Sequence, residues 1–212
     1  PRQAKLISSL KKNDSTLFRQ SGGSACNSVV AAAQLGSKTY FGGKIADDDD
    51  GRLYADDLTQ AGVSHAFSPA DQGVTGKCLV MVTLDAERTM NTYLGVSDEF
   101  AETEINQSAL ASADWFYVEG YLQTDDRRTA VVKSAVEFAK QQGVKVGLSL
   151  SDPFVAQLFA GNLKAVIGDG VDLIFCNKDE ALAFTNTDTI NQAAKELKAY
   201  ATTFVITDGA NG

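Results

Sequence analysis

From Ala113 onward, short apolar runs rich in β-branched and aromatic residues alternate with stretches of helical periodicity. The runs are DWFYVEG (Asp114–Gly120), VKVGLSL (Val144–Leu150), VDLIFCN (Val171–Asn177) and TFVITDG (Thr203–Gly209). Roughly 30 residues separate successive runs, the length of a βαβ unit. This rhythm predicts a parallel sheet with crossover helices. Between the first two runs, Val131, Ala135, Phe138 and Ala139 recur at helical spacing, with Lys133, Glu137 and Lys140 elsewhere on the cylinder and Gly143 closing the helix. The nearly continuous apolar run VDLIFC predicts a strand covered on both faces.

The first half has a different texture. A helical start over Pro1–Leu10 and a polar turn KKNDS precede a helix over Ala25–Leu35, a strand KTYFGGKIA and a helix from near Gly51 to Gly62. Two runs, GKCLVMVTL and ERTMNTYLG, flank a turn at Asp85-Ala86-Glu87. They predict an antiparallel hairpin outside the main sheet, part of a lid. Neither a repeat beyond the βα rhythm nor a Pro- or Ser-rich linker divides the chain.

Composition narrows the classes. With 212 residues, 44% hydrophobic and 22% charged, the chain has material for a sizeable core. A net charge of -8 argues against binding a phosphate backbone, so no nucleic-acid partner is expected. Apolar runs fall short of a membrane span and the N-terminus lacks a signal-peptide pattern, which gives no membrane partner and a cytoplasmic location as expectations. Cys26, Cys78 and Cys176 are far apart in apolar surroundings and are expected as reduced core residues. His65 is the only histidine, which rules out a histidine-rich zinc site and leaves a Ser-His-Asp triad little support. The chain starts at Pro1 and stops at VITDGANG, a strand and turn, so it is expected to be incomplete at both ends.

In an open parallel sheet, ligands bind beyond the carboxyl ends of the strands. Those ends carry Glu119, then Ser151 and Asp152, then Asn177 and Glu180, then Thr207 and Asp208. Loops after strands are polar in any case, and Asn-Lys-Asp-Glu is also a capping-box spacing. Spacing leaves cap and metal-phosphate site both open for Asn177 and Glu180. At SGGSACN, Gly22 and Gly23 let a ligand approach the backbone at the mouth of a helix. The stretch fits neither GxxxxGK(S/T) nor G-x-G-x-x-G. Asn27, with a donor and an acceptor, suits a hydroxyl-bearing ligand such as a sugar; a plain tight turn is the rival reading. The run Asp47–Asp50 is not an EF-hand, because Leu58 holds the twelfth position. A solvated turn with a capping Asp is expected there.

These segments together resemble the ribokinase-like carbohydrate kinases, the phosphofructokinase-B family. GGSACNSVVAAAQLG resembles the first signature, YFGGKIADDDDG its G-x-(I/V)-G-x-D-x-x-G continuation, and NKDE the N-x-x-E motif. TGKCLVMVTLDAERTMNTYLG, VEGYL and LSLSDPF look most similar to the adenosine and sugar kinase branch. Val29 and Ala46 depart from the usual small residue and glycine of the signatures. The resemblance implies a three-layer α/β/α sandwich with a mostly parallel central sheet and a small β lid. It gives one incomplete α/β kinase domain over 1–212, with lid strands around 15–20 and within 64–95.

The implied activity is transfer of the ATP γ-phosphoryl to a hydroxymethyl group of a sugar or nucleoside, adenosine favoured, with Mg²⁺ and possible use of a monovalent cation. By the same resemblance Gly22, Gly23, Asn27 and Glu119 bind the acceptor. Asn177, Thr207 and Gly209 bind the nucleotide, and Glu180 reaches Mg²⁺ through water. Phe41, Met90 and Tyr93 are candidate walls of a purine pocket, and dimerisation through the lid is a family habit. No segment matches the second signature, D-T-x-G-A-G-D, which supplies the base and the anion hole; the base is expected beyond Gly212 and the 212 residues alone are expected to be inactive. A non-catalytic sugar- or nucleoside-binding protein is the alternative, and a nicotinamide enzyme is disfavoured for want of G-x-G-x-x-G.

Overall fold

The computed structural model describes residues 2–12 and 18–212. The chain divides into two compact units, Pro1–Glu104 and Ile105–Gly212.

In the first unit, α1 (Arg2–Lys12) is followed by α2 (Ser24–Gln34), β1 (Thr39–Phe41), α3 (Asp49–Gln60), β2 (Val63–His65), β3 (Lys77–Val82) and β4 (Arg88–Tyr93). β1 and β2 pair in parallel. Their core is built on Cys26, Leu58 and Val63, with Val29, Val30, Ala33, Phe41, Tyr54 and Phe67 packed against it. Phe41, Tyr54 and Phe67 form an aromatic trio with centroids 6.0 to 6.2 Å apart. His65 stacks on Phe67 at 4.4 Å, and its Nε2 lies 3.1 Å from Thr59 Oγ1 and 3.2 Å from the Ala55 carbonyl. The lone histidine is thus a packed residue.

α3 starts where the Asp48 side chain accepts from Gly51 N at 2.7 Å, the expected capping aspartate of the acidic run. β3 and β4 form the expected antiparallel hairpin, with Val80 opposite Met90. Every residue of β4 is exposed. Of the strand expected around 15–20, residues 13–17 lie outside the described residues and 18–20 have no regular structure. β2 is not legible from the sequence, because its three residues, Val63-Ser64-His65, hold one apolar side chain and are followed by the turn-like Ala-Phe-Ser-Pro.

In the second unit, α4 (Gln107–Ala111), β5 (Trp115–Glu119), α5 (Asp126–Gln141), β6 (Lys145–Ser149), α6 (Pro153–Leu158), α7 (Ala160–Ile167), β7 (Val171–Asn177), α8 (Lys178–Thr185), α9 (Ile190–Leu197) and β8 (Ala201–Thr207) follow in order. The sheet order is β5-β6-β7-β8, all parallel. Val118, Leu148, Ile174 and Phe204 are register partners in a row across it. The first three are buried together with Val132, Ala135, Val136 and Ala139 of α5, and with Leu163, Ala181 and Leu197 of the later helices.

Two details differ from the pattern reading. The buried stripe of α5 is rotated, so Val132 and Val136 are core while Val131 is half-buried, the V-V pair having left the choice of face ambiguous. VDLIFC is not covered equally on both faces: Ile174 is fully buried but Phe175 is 42% exposed. Consecutive strands joined by crossovers of one hand place their connecting helices on one face, and that face takes the core.

Candidate functional site

Parallel strands bring the ends of β5, β6, β7 and β8 to one edge. There the register sets Glu119 opposite Ser149, Ser149 opposite Phe175, and Asn177 opposite Thr207. Glu119 is half-buried, and its carbonyl lies 3.4 Å from Gln123 Nε2. Thr207 is exposed, and Gly209 opens a short 3₁₀ turn with φ +58°. Asp208, next to them, pairs with Lys178 at 3.4 Å.

Asn177 and Glu180 form a capping box at the start of α8. Asn177 Oδ1 accepts from Glu180 N at 2.8 Å, and Glu180 Oε2 accepts from Asn177 N at 3.1 Å. Asn177 Nδ2 also donates to Glu180 Oε1 at 2.8 Å. Burial pushes the Glu180 carboxyl above its ordinary value, and the negative charges of Asp152 and Asp179 add to it. Beside it, burial first and the Glu180 charge second push the Cys176 thiol up to about 12. The Tyr121 phenol is raised by burial and then by Asp152, Glu119 and Glu180, so a tyrosine stands among three carboxylates at this edge. Tyr121 lies within VEGYL and follows the strand end by two residues, but the sequence assigns it no site role.

Among the described residues no three His, Cys, Asp or Glu are grouped to hold a metal. Mg²⁺ in phosphoryl-transfer sites keeps several waters and takes only one or two carboxylates besides substrate phosphates. Each Glu180 oxygen already accepts from Asn177 and keeps a second lone pair, which suits contact with a hydrated cation through water. A depression of about 350 Å³ lined by Lys140, Asp169, Asp172 and Lys198 lies at the opposite, amino edge of β7 and β8, away from these groups.

In the first unit, Gly22 and Gly23 precede α2. Gly23 has φ +106° and ψ 151°, a backbone that a side chain rarely adopts, whereas a Cβ there would meet nothing within 4 Å. Glycine is therefore required by conformation rather than by crowding. Tyr54 donates from its hydroxyl to the Gly22 carbonyl at 3.1 Å, and Ser21 N donates to Asp57 Oδ2 at 2.7 Å, so α3 fixes the turn. Asn27 lies one turn into α2 with its side chain exposed, next to buried Cys26. Val29 packs on the core, and Ala46 is 2% exposed, so both departures from the signatures fall at packing positions. Phe41 belongs to the aromatic trio, while Met90 and Tyr93 are 65% and 43% exposed on β4.

One cysteine departs from expectation: Cys26 and Cys176 are buried, but Cys78 is exposed on β3. Cys78 lies with Val80 and Val82 on the uncovered face of β3, while Lys77, Leu79 and Met81 on the other face are half-buried. Among the described residues no helix is long and apolar enough to cross a membrane.

The family model for pfkB carbohydrate kinases matches residues 4–212. The chain belongs to that family. Its fold is the ribokinase-like α/β fold of adenosine kinase from Sinorhizobium meliloti, to which it is 30% identical with a TM-score of 0.90, covering 99% of this chain and 64% of that one. A probable sugar kinase from Rhizobium etli matches with the same identity and TM-score over 64% of its chain. Among curated pfkB relatives, a fructokinase from Vibrio alginolyticus is 24% identical over 98% of this chain and 69% of its own length. A 5-dehydro-2-deoxygluconokinase from Bacillus subtilis is 32% identical over 64% of this chain and 43% of its own. The chain thus spans about two thirds of the matched structures and less than half of some curated relatives.

Proposed function

We propose that the whole protein is a phosphotransferase that moves the γ-phosphoryl of ATP to a hydroxymethyl group of a sugar or nucleoside, with an adenosine-like acceptor favoured. The observation that carries this reading is the carboxyl edge of the sheet, where N-x-x-E forms its capping box in line with Glu119 and Thr207. The adenosine preference draws on the likeness to the Sinorhizobium meliloti adenosine kinase.

In the first unit Gly22 and Gly23 open the backbone to a hydroxyl-bearing acceptor that Asn27 holds, and in the second unit Glu119 offers its carboxylate to hydroxyls at the carboxyl edge of the sheet. Asn177, Thr207 and Gly209 face the nucleotide phosphates. Bound Mg²⁺ supplies charge neutralisation at the phosphates. Glu180 would hold that cation through water, and the positive charge would favour the ionised carboxylate. The D-T-x-G-A-G-D segment, which by the family resemblance supplies the group that takes the proton from the acceptor hydroxyl, is not among the 212 residues. A polypeptide limited to them is therefore inactive in this reading. The hairpin β3–β4 acts as the lid and as the surface through which two copies pair.

ADP release by the full-length protein, assayed with MgATP and adenosine, inosine, ribose or fructose, tests the reading. Turnover with adenosine strongest is the expected result. Saturable binding of an acceptor without ADP release from the full-length protein would instead establish a non-catalytic binding protein, and turnover by the 212 residues alone would remove the need for a further base.

A further inference from the structure

Three non-glycine residues among those described have a positive φ: Ala86, Ser151 and Asn186. Ala86 turns the β3–β4 hairpin and Asn186 ends α8. Ser151, at φ +70°, does neither. It follows β6 at the carboxyl edge, and Asp152 N donates across it to the Leu150 carbonyl at 2.9 Å, closing a γ-turn of the strained, positive-φ kind. Glycine would occupy this turn without strain, so the side chain is retained for what it touches.

Its hydroxyl accepts from Gly120 N at 2.8 Å, joining the residue after β5 to the turn after β6. Its own amide donates to Ser149 Oγ at 3.1 Å. Gly120 fits only as glycine, because a Cβ would lie 2.6 Å from the Ser149 carbonyl oxygen, 2.8 Å from that of Leu150 and 2.9 Å from Ser151 Oγ. The two strand ends are thus interlocked, and the residues flanking the lock are Glu119 on one side and Asp152 on the other. Asp152 is further held by Phe154 N, which donates to Oδ1 at 2.8 Å at the start of α6.

We propose that Ser151 is a positioning residue: its hydroxyl clasps the Gly120 amide and so fixes the Glu119 and Asp152 carboxylates at the neighbouring ends of β5 and β6. Its consequence for turnover rests on the phosphotransferase reading above, whereas the clasp itself does not. A carboxylate displaced by about 1 Å costs a phosphoryl-transfer site up to roughly a hundredfold in rate, because positioning and electrostatics supply nearly all of the catalysis. Tyr121, whose phenol is raised partly by the charges of Asp152, Glu119 and Glu180, reports the arrangement without any need for turnover.

The test compares the full-length protein with its Ser151→Gly, Ser151→Ala and Ser151→Asn variants. Ser151→Gly relieves the left-handed strain but loses the clasp. A serine with a merely structural role predicts unchanged kcat and unchanged Tyr121 ionisation at equal or higher Tm. A positioning role predicts a kcat lowered about tenfold or more at undiminished Tm. It also predicts that Tyr121 ionisation, followed by NMR of ring-labelled tyrosine, moves down toward its ordinary value. Ser151→Ala should show the same two changes with a lower Tm. Ser151→Asn, which tolerates the turn and offers an amide oxygen, should restore part of both. Wild-type kcat and Tyr121 ionisation in Ser151→Gly would overturn the proposal. If the wild-type protein turns over no acceptor, the phosphotransferase reading fails, and hydrogen exchange of the Gly120 amide, which should quicken in Ser151→Gly and Ser151→Ala if the clasp exists and stay unchanged if it does not, decides the clasp on its own.

Discussion

Asn177 and Glu180 each accept a hydrogen bond from the other's backbone amide, and a third bond joins their side chains at 2.8 Å. The box starts α8 but buries a carboxylate, and burial with nearby Asp152 and Asp179 raises its pKa above 4.5. The folded state then binds this proton more tightly than the unfolded state does. Stability from this group is therefore greatest below 4.5 and declines as pH rises through the folded value. In denaturant unfolding from pH 4.5 to 7.5, the wild type should lose ground steadily to Glu180→Gln. A difference that stays constant with pH would show that Glu180 is not a strained acid.

Asp48 is the hub of a polar network in the first unit. Its Oδ1 accepts from Gly51 N and from the Thr75 hydroxyl, both at 2.7 Å, and its Oδ2 accepts from Thr75 N at 2.9 Å. Thr75 Oγ1 in turn accepts from Ala46 N at 2.9 Å. Burial opposes ionisation of Asp48, but the Thr75 and Gly51 bonds and the Lys77 charge outweigh it and lower the pKa below 3.8. Here the sign is the ordinary one: the stabilisation is present above 3.8 and is lost as pH falls through the folded value. Asp48→Ala should cost about 2 kcal/mol at neutral pH, a lost cap plus unpaired Thr75 groups, and less in acid. Equal losses at pH 7 and pH 2.5 in urea unfolding would contradict this.

The glycine that closes the same signature acts by close approach. A Cβ on Gly51 would stand 2.2 Å from the Ala46 carbonyl oxygen and 2.8 Å from Thr75 Oγ1. Gly51→Ala should destabilise the protein by about 2 kcal/mol or more, as overpacking does, and should lower the urea midpoint. An unchanged midpoint would mean that α3 can shift away from Ala46.

Much of this was legible in the sequence because it rests on local chemistry. The four β runs of the second unit, the cap at Asp48 and the reciprocal box at Asn177 all follow from periods and side-chain donors within a few residues. The signatures also led to the family, although Asp48 bonds to Thr75, 27 residues away, a contact that no local pattern encodes. Likewise nothing near Ser151 announces its contact with Gly120, since the pairing depends on β5 and β6 lying side by side. Exposure was the least legible property. The apolar letters of VDLIFC and GKCLVMV do not say how many layers will cover them, so Phe175 and Cys78 were expected to be more buried than they are.

That exposure separates the cysteines chemically. Cys78 Sγ accepts a bond from Thr92 Oγ1 at 3.3 Å on an open hairpin, whereas Cys26 is 1% and Cys176 6% exposed. Burial raises both interior thiols, Cys176 to about 12. Since the thiolate is the reactive form, a thiol reagent at pH 8 should modify one of these three cysteines quickly and the other two only after denaturation. Rapid loss of two or three of these thiols from the folded protein would mean that a core opens readily.

Asn27 and Glu180 should fail differently when altered in the full-length protein. In the proposed reading Asn27 holds the acceptor in the ground state and the transition state alike, so Asn27→Ala removes uniform binding. Acceptor KM should rise about tenfold or more while kcat changes little, the loss expected for one or two hydrogen bonds. Glu180 contacts no acceptor in the proposed arrangement and acts on the hydrated cation as charge develops on the phosphates. Glu180→Gln should therefore lower kcat and move the Mg²⁺ requirement to higher concentration, with acceptor KM nearly constant. Steady-state kinetics over a matrix of acceptor and Mg²⁺ concentrations separates the two patterns. If Asn27→Ala altered the Mg²⁺ requirement and Glu180→Gln the acceptor KM, the two roles would have been assigned the wrong way round.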